Sequence, residues 1–289
     1  MSSPFDGYLD AIKAAEDVGG LLLHAEVLAN SINAGEHGRQ KVGFGDDFWQ
    51  YRTFENGYDS ARDLDYRRSA KQDQDFVKQV EWKTQQCLHI WVDPGASMRF
   101  SSKGFVKKHR RAVILALALA IAAEKGGELI ALCDGTLQPS KGRAQILRLA
   151  ESLEGEVEED YSAGTMPQFS KGASALLVSD FFADLQWIED ALARAVDKRV
   201  RGVLLQLLDP SELQFPFRGR TIFQSVLGSV EHKTLQAGDL RSVYLERMAV
   251  RQDRVRKLAE MADWSFFCDD GTQNPKKVVS NLHFLLSKV

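Results

Sequence analysis

Cys87-Leu88-His89-Ile90-Trp91-Val92-Asp93-Pro94-Gly95-Ala96-Ser97-Met98 decides how this chain folds. Its first half reads as a short apolar strand, and its second half as an acidic, hydroxyl-bearing turn. A helical segment from Phe105 to Lys125 follows. Its second half, Ala112 to Ala123, is apolar on every side, so this helix is expected inside the molecule rather than on its surface. Gly126-Gly127 supplies the stop. In an open parallel sheet, ligands sit in the crevice outside the carboxyl ends of the strands. Asp93 and Ser97 would lie at such an end.

Working outward, four more apolar runs read as strands: Leu129 to Cys133, Ala175 to Val178, Val203 to Leu208 and Trp264 to Cys268. Helical segments separate most of them, at Lys141 to Leu153, Trp187 to Ala195 and Leu240 to Ala262, with a last one at Pro275 to Leu286. Gln214 to Gln224 reads as a loop. Strands alternating with helices predict an α/β fold, a doubly wound and mostly parallel sheet, over residues 86–289.

Residues 1–85 read as an N-terminal helical and extended arm packed on that domain. Residues 8–32 carry apolar side chains at helical spacing, interrupted at Gly19-Gly20, and Gly35 to Gly45 is a glycine-rich connector. Gly43-Phe44-Gly45-Asp46-Asp47-Phe48 is not a phosphate loop, because Phe48 replaces the last glycine and two carboxylates would repel phosphate. From Tyr51 to Lys71, arginines and acids alternate densely with aromatics. One reading is a solvated ion-pair face of little energetic weight. The preferred reading is a structural clasp that includes Arg52, Asp59, Arg62 and Asp65, because Asn56-Gly57 marks a turn and the aromatics need burial. Asp75 to Trp82 alternates in the manner of an edge strand running into the central one.

Composition narrows the function classes. The 289-residue chain is 44% apolar, with a net charge of −3 and a pI near 6.1. No basic field draws in nucleic acid. Cys87, Cys133 and Cys268 are read as buried thiols in a reducing compartment. The start, Met1-Ser2-Ser3-Pro4-Phe5-Asp6, has no signal-peptide pattern, and the run from Ala112 to Ala123 is too short to span a bilayer. A cytoplasmic protein without a membrane span is expected.

Four apolar runs end in an acid and a turn residue, at Asp93, Asp134, Asp180 and Asp209. Such acids often cap the helix that follows. Asp93-x-Gly95-x-Ser97 with a second-strand Asp180 is a more particular set, whose hard oxygen ligands suit magnesium. A hydrolase reading competes. Gly95-Ala96-Ser97-Met98-Arg99 is most of a nucleophile elbow, and Asp180 or Asp209 and then His232 or His283 follow in order. Arg99 stands where the elbow needs a small residue. The run Lys107-Lys108-His109-Arg110-Arg111 opposes its helix dipole and is read as a solvated rim, with a patch for an acidic protein surface as the alternative.

Taken together, the ordered motifs resemble the bacterial domain-of-unknown-function family fifty-eight, a branch of the von Willebrand factor A-like proteins. The resemblance spans residues 35–289. It rests on Gly43 to Phe48, Arg52, Asn56-Gly57-Tyr58-Asp59, Arg62, Asp63-Leu64-Asp65-Tyr66 and Ser69-Ala70-Lys71. Asp93-x-Gly95-x-Ser97-Met98, Ser179-Asp180-Phe181 and Asp209-Pro210-Ser211-Glu212 follow. It implies a metal-ion-dependent adhesion site, in which Asp93, Ser97 and Asp180 match magnesium ligands and a partner's carboxylate completes the shell. Gly95 stands where that pattern has its first serine, so magnesium would be held by one ligand fewer. Thr136 and Thr165 are the two candidates for the threonine ligand. The resemblance further implies an adaptor that works with a MoxR-type AAA+ ATPase on a protein client.

Overall fold

The computed structural model describes residues 19–32, 48–54, 69, 75–80, 86–155, 159–161 and 164–287. Contacts divide the chain into two units, Met1–Gly38 with Gln86–Val289, and Arg39–Gln85. In chain order the elements begin with α1 (residues 19–32), β1 (Phe48–Thr53) and β2 (Phe76–Val80). Then come β3 (Cys87–Val92), a 3-10 turn at Ala96–Arg99, α2 (Lys108–Lys125), β4 (Leu129–Leu132) and α3 (Arg143–Leu153). The rest are β5 (Ser174–Ser179), α4 (Gln186–Asp197), β6 (Arg201–Leu207), α5 (Pro210–Gln214), β7 (Thr221–Gln224), β8 (Glu231–Thr234), α6 (Ala237–Met261), β9 (Ser265–Asp269) and α7 (Pro275–Ser287).

The main sheet has five strands in the order β4-β3-β5-β6-β9, and every neighbouring pair is parallel. Successive side chains of a strand face opposite sides, and both sides are covered here. Leu88, Ile90 and Val92 of β3 join Leu176, Val178, Val203 and Leu205 in a core closed by α1, α2, α3 and α7. Cys87, Trp91, Leu177 and Leu204 face the other way, into a core closed by α4 and α6. Continuous apolar runs without polar alternation are what strands buried on both faces require. The doubly wound α/β fold expected from those runs is the fold observed. Leu21, Ala25, Leu28, Ala29 and Ile32 give α1 one apolar stripe, and it is buried in the first core.

The strand order reverses at β3. The chain goes from β3 out to β4, then returns past β3 to build β5, β6 and β9 on its other side. The reversal leaves a crevice between the carboxyl ends of β3 and β5, which is where open α/β sheets place ligands.

Two expectations are corrected. The alternating segment at 75–82 does form a strand, β2, but its partner is β1, antiparallel, with Arg52 opposite Val77 and an irregularity between Phe48 and Gln50. Alternation reveals a half-exposed strand and not its partner. The loop expected at Gln214 to Gln224 instead contains β7, which pairs antiparallel with β8. The helical pattern before residue 19, the loop at 43–47 and the clasp residues Asp59, Arg62 and Asp65 lie outside the described residues. Arg52 contributes backbone to β1, and its side chain lies outside the description.

Candidate functional site: an acidic crevice at the strand switch point

Asp93 ends β3, and its amide continues the ladder to the Val178 carbonyl at 2.8 Å. Its carboxylate is committed twice. One oxygen accepts from the Gly95 amide at 2.8 Å, the other from the Ser179 hydroxyl at 2.6 Å. Ser179 Oγ in turn accepts from the Phe181 amide at 2.8 Å. Phe181 sits at φ 55°, a left-handed conformation that a bulky side chain adopts only when its surroundings enforce it. Arg251 of α6 supplies part of that enforcement, donating to the carbonyls of Phe181 and Ala183.

Asp180, 1% exposed, ends β5. One carboxylate oxygen accepts from the Phe182 amide at 2.9 Å, the other from Lys108 Nζ at 2.9 Å. Lys108 Nζ also donates to Glu212 Oε1 at 2.8 Å. Glu212 reaches back with its second oxygen to the Asp209 amide at 2.7 Å, closing the capping box of α5. Asp209 is therefore the helix cap that one reading foresaw, and it also accepts from the Ser102 amide at 2.8 Å. Deeper in the same edge, Arg111 grips the fully buried Asp269 with two nitrogens, at 2.5 and 3.0 Å.

The basic run is thus a solvated rim only in part: Lys107 and Arg110 are exposed, but Lys108 and Arg111 turn inward. Lys108 is 3% exposed and Arg111 is mostly covered, and each spends its charge on carboxylates at strand ends. Burial, then Arg99, pushes the half-buried His109 down to about 4, so its ring is uncharged at neutral pH. Burial works to lower Lys108, but Asp180 and Glu212 outweigh it and hold the ammonium above its ordinary value. The rings of Phe100 and Phe182 flank that ammonium, with centroids 6.0 and 5.2 Å from Nζ. Sequence reasoning missed Lys108, Arg111 and Asp269. The signals were present: Lys108 shares the face of Ala112, Leu115 and Leu119, and Cys268-Asp269-Asp270-Gly271 is a fifth strand end with an acid and a turn residue.

Of the expected magnesium ligands, the structure gathers Asp93 and Asp180 at one crevice, and the Ser97 hydroxyl is buried without a hydrogen-bond partner. The threonines do not join them. Thr136 Oγ1 donates to Asp134 at 2.6 Å in an exposed turn beyond the edge strand β4. Thr165 is exposed, and its carbonyl accepts from the Trp187 indole at 3.3 Å. Among the described residues, no three histidine, cysteine, aspartate or glutamate side chains converge as metal ligands. The orphaned Ser97 hydroxyl would suit an ion, but the remaining donors do not fit a divalent one as they stand. Magnesium binds oxygen at about 2.0–2.1 Å. An ion on Asp180 Oδ2 would lie against an ammonium 2.9 Å from the same oxygen. Two unit charges 4 Å apart repel by about 4 kcal/mol at an effective dielectric of 20, and a divalent ion doubles that.

The hydrolase constellation is not assembled either. Ser97 Oγ bonds to no histidine, His232 is exposed on β8 and His283 lies in α7. The cavity beside Asp93, lined by Trp91, Ser179, Phe181 and Trp187, encloses about 10 Å³, room for about one water molecule. Small-molecule sites usually enclose roughly 300–1,000 Å³.

The crevice has a measurable electrostatic signature. Burial, reinforced by the Asp180 carboxylate, raises Asp93 to about 6 from an ordinary 3.8, against the pull of the Ser179 hydroxyl and the Gly95 amide. Because the folded protein prefers Asp93 protonated, this group's stabilising contribution is complete below about 3.8 and is lost as pH rises through about 6. The gap corresponds to about 3 kcal/mol. Asp93→Asn is therefore expected to be more stable than wild type above pH 6 by up to about 3 kcal/mol, with the advantage gone below pH 4. Urea denaturation of both proteins across that range checks it. Parallel curves would show that Asp93 is not the group responsible.

Comparison with known proteins adds three findings. The family model described as "Protein of unknown function DUF58" matches residues 50–254. No curated protein matches this chain. Among solved structures, similarity extends to the conserved hypothetical protein BatB from Bacteroides thetaiotaomicron, at 15% identity and a TM-score of 0.45, covering 71% of this chain and 100% of that one. An aerotolerance-related membrane protein from Bacteroides fragilis, carrying multiple mutations to serines, is 13% identical with a TM-score of 0.45 and the same coverage. An uncharacterized membrane spanning protein from Vibrio fischeri is 13% identical with a TM-score of 0.21, covering 69% of this chain and 99% of that one. Among the described residues of the present chain, no helix is long and apolar enough to cross a membrane.

Proposed function

We propose the following role for this chain, which belongs to the DUF58 family of proteins of unknown function: it is a non-enzymatic interaction module that works as an adaptor with a MoxR-type AAA+ ATPase and a protein client. The supporting observation is the crevice at the strand switch point, where Asp93, Asp180 and Glu212 are fixed by internal donors before any ligand arrives. Pre-organised polar groups favour recognition, because little ordering remains to be done on binding. Catalysis by Ser97 would need a base within hydrogen-bond reach, and the Ser97 hydroxyl has none. The ATPase partnership follows from the family resemblance carried by Asp93, Ser97, Ser179-Asp180 and Asp209 to Glu212.

Docking at the crevice is expected to engage Tyr161, which is 43% exposed and whose hydroxyl is held above its ordinary value by burial and then by Asp180. The test is size-exclusion co-elution of the purified chain with a purified MoxR-type ATPase. Asp93→Ala and Tyr161→Ala, each checked for folding by circular dichroism, are expected to weaken co-elution at least tenfold, a loss of about 1.4 kcal/mol or more. Unchanged co-elution of both variants would remove the crevice from the interaction. Covalent labelling of Ser97 by a fluorophosphonate would instead make the protein a serine hydrolase.

A further inference from the structure

We propose that Lys108 is the resident cation of this crevice: its ammonium occupies the electrostatic place that a divalent ion takes in a metal-ion-dependent adhesion site, and it neutralises Asp180 and Glu212 without metal.

Placement carries the argument. A magnesium ion in such a site neutralises acids from separate loops and ties them together. Lys108 Nζ does both, joining Asp180 from the end of β5 to Glu212 from α5 at 2.9 and 2.8 Å. These partners are 72 and 104 residues from it in sequence. Lysine has three N–H donors and no acceptor. Two donors meet carboxylates, and the rings of Phe100 and Phe182 flank the ammonium.

The backbone explains why a lysine reaches this point. The 3-10 turn at Ala96–Arg99 leads into a loop whose Phe100 carbonyl accepts from the Lys108 amide at 3.3 Å. That bond sets the first turn of α2 directly beside the strand ends. A cation in the first turn of a helix opposes the helix dipole. The arrangement is therefore stable only with carboxylates in front of it, and Asp180 and Glu212 supply two. Such a lysine would be poorly placed if the acids were reserved for a metal.

The charge balance has a consequence for recognition. Two carboxylates share the Lys108 ammonium, and Asp93 adds a third acid with only neutral donors, Ser179 Oγ and the Gly95 amide. The Lys108 ammonium is committed to these acids and is not free to receive a partner's carboxylate. A partner acid was the group expected from the family resemblance; an amide or basic side chain suits this crevice instead.

The measurement uses the full chain alone, so its outcome does not depend on whether any ATPase binds. Thermal unfolding is followed with chelator, with millimolar magnesium, and with sodium chloride at matched ionic strength, alongside manganese binding monitored by paramagnetic resonance. Wild type is expected to show no magnesium-specific shift and no manganese binding below millimolar. Lys108→Met, which frees Asp180 and Glu212, is expected to acquire a magnesium-dependent rise in Tm of a few degrees, corresponding to an ion that binds only the folded state. Asp180→Asn in the Lys108→Met background should abolish that rise. A magnesium-specific rise in wild type that Asp180→Asn removes, or sub-millimolar manganese binding by wild type, would overturn the proposal. The wild-type titration decides the matter even if Lys108→Met does not fold.

Discussion

Lys108→Met in metal-free buffer is expected to lower the unfolding free energy by about 3–5 kcal/mol, because removing one member of a buried ion pair strands the other. In a chain of this size that corresponds to a fall in Tm of roughly 6–20 °C. The side chain is 3% exposed and its partners Asp180 and Glu212 are 1% and 15% exposed, so water cannot take over the role of the ammonium. Methionine keeps the length and helix propensity of lysine, which isolates the charge. The pH dependence follows from the direction of the shift. Lys108 is held above its ordinary 10.5, so its contribution is fully present below that value and is lost only as alkaline pH removes the proton. Wild type and Lys108→Met should therefore differ by a constant amount across neutral pH and converge in strong alkali. Adding Asp180→Asn and Glu212→Gln to Lys108→Met should restore most of the stability, since a buried triad replaced by neutral groups no longer contains an uncompensated charge. Chemical denaturation of wild type, single and triple variants measures both effects. A loss below about 1 kcal/mol for the single variant would mean that the cluster is solvated.

The contrast between what could and could not be read from the chain has a common physical origin. β3, β5 and β6 are buried on both faces, and such strands must be apolar at consecutive positions, so Leu88 to Val92, Ala175 to Val178 and Val203 to Leu208 announce themselves. The acids at their ends mark the crevice for the same reason, since polarity returns where the sheet stops. Lys108 obeys no such local rule. A run of five basic residues looks solvated, and only the acid partners of Lys108, one just past β5 and one on α5, allow its burial. Helical spacing from Lys108 to Ala112, Leu115 and Leu119 was the sole local hint. The hairpin of β7 and β8 was hidden differently. Ile222, Val226, Leu227 and Val230 stay exposed, and the alternation of half-buried Thr221 and Phe223 with exposed Ile222 and Gln224 is too short to separate it from a loop. Its turn is instead held by Asp160, which accepts from the Leu227 amide at 2.7 Å and from Ser229. The backbone carbonyls of Glu159 and Asp160 accept from the Ala96 and Ser97 amides, both at 2.9 Å. The hairpin is thereby tied to the loop that carries Ser97, a link no local pattern could show.

Gly202→Ala should be among the most damaging single substitutions in the main sheet, at a loss on the order of 3 kcal/mol or more. In most strands this exchange is neutral or favourable, because glycine there forfeits about 0.5–1 kcal/mol of backbone entropy. The sign is reversed here by geometry. Gly202 lies opposite Ala175 in the β5–β6 ladder, and a Cβ would stand 2.2 Å from the Ala175 carbonyl oxygen and 2.9 Å from the ring of Trp264. Neither neighbour can yield. The carbonyl belongs to a central strand whose Ala175 and Leu176 are fully buried, and the Trp264 indole is anchored by its own bond to the Val200 carbonyl at 2.9 Å. The methyl group must therefore push β5 and β6 apart at their amino ends. The crevice is at the other end of those strands, about four to five residues and roughly 15 Å away at 3.3 Å per residue. The folded fraction of Gly202→Ala should accordingly keep the Lys108 cluster and still co-elute with an ATPase partner as wild type does, while its urea midpoint falls sharply. Tyr161→Ala should show the opposite pattern, an unchanged midpoint with lost co-elution. A Gly202→Ala protein as stable as wild type would place β5 and β6 farther apart than the ladder requires, and the switch-point crevice would then lack the rigid floor on which its pre-organisation depends.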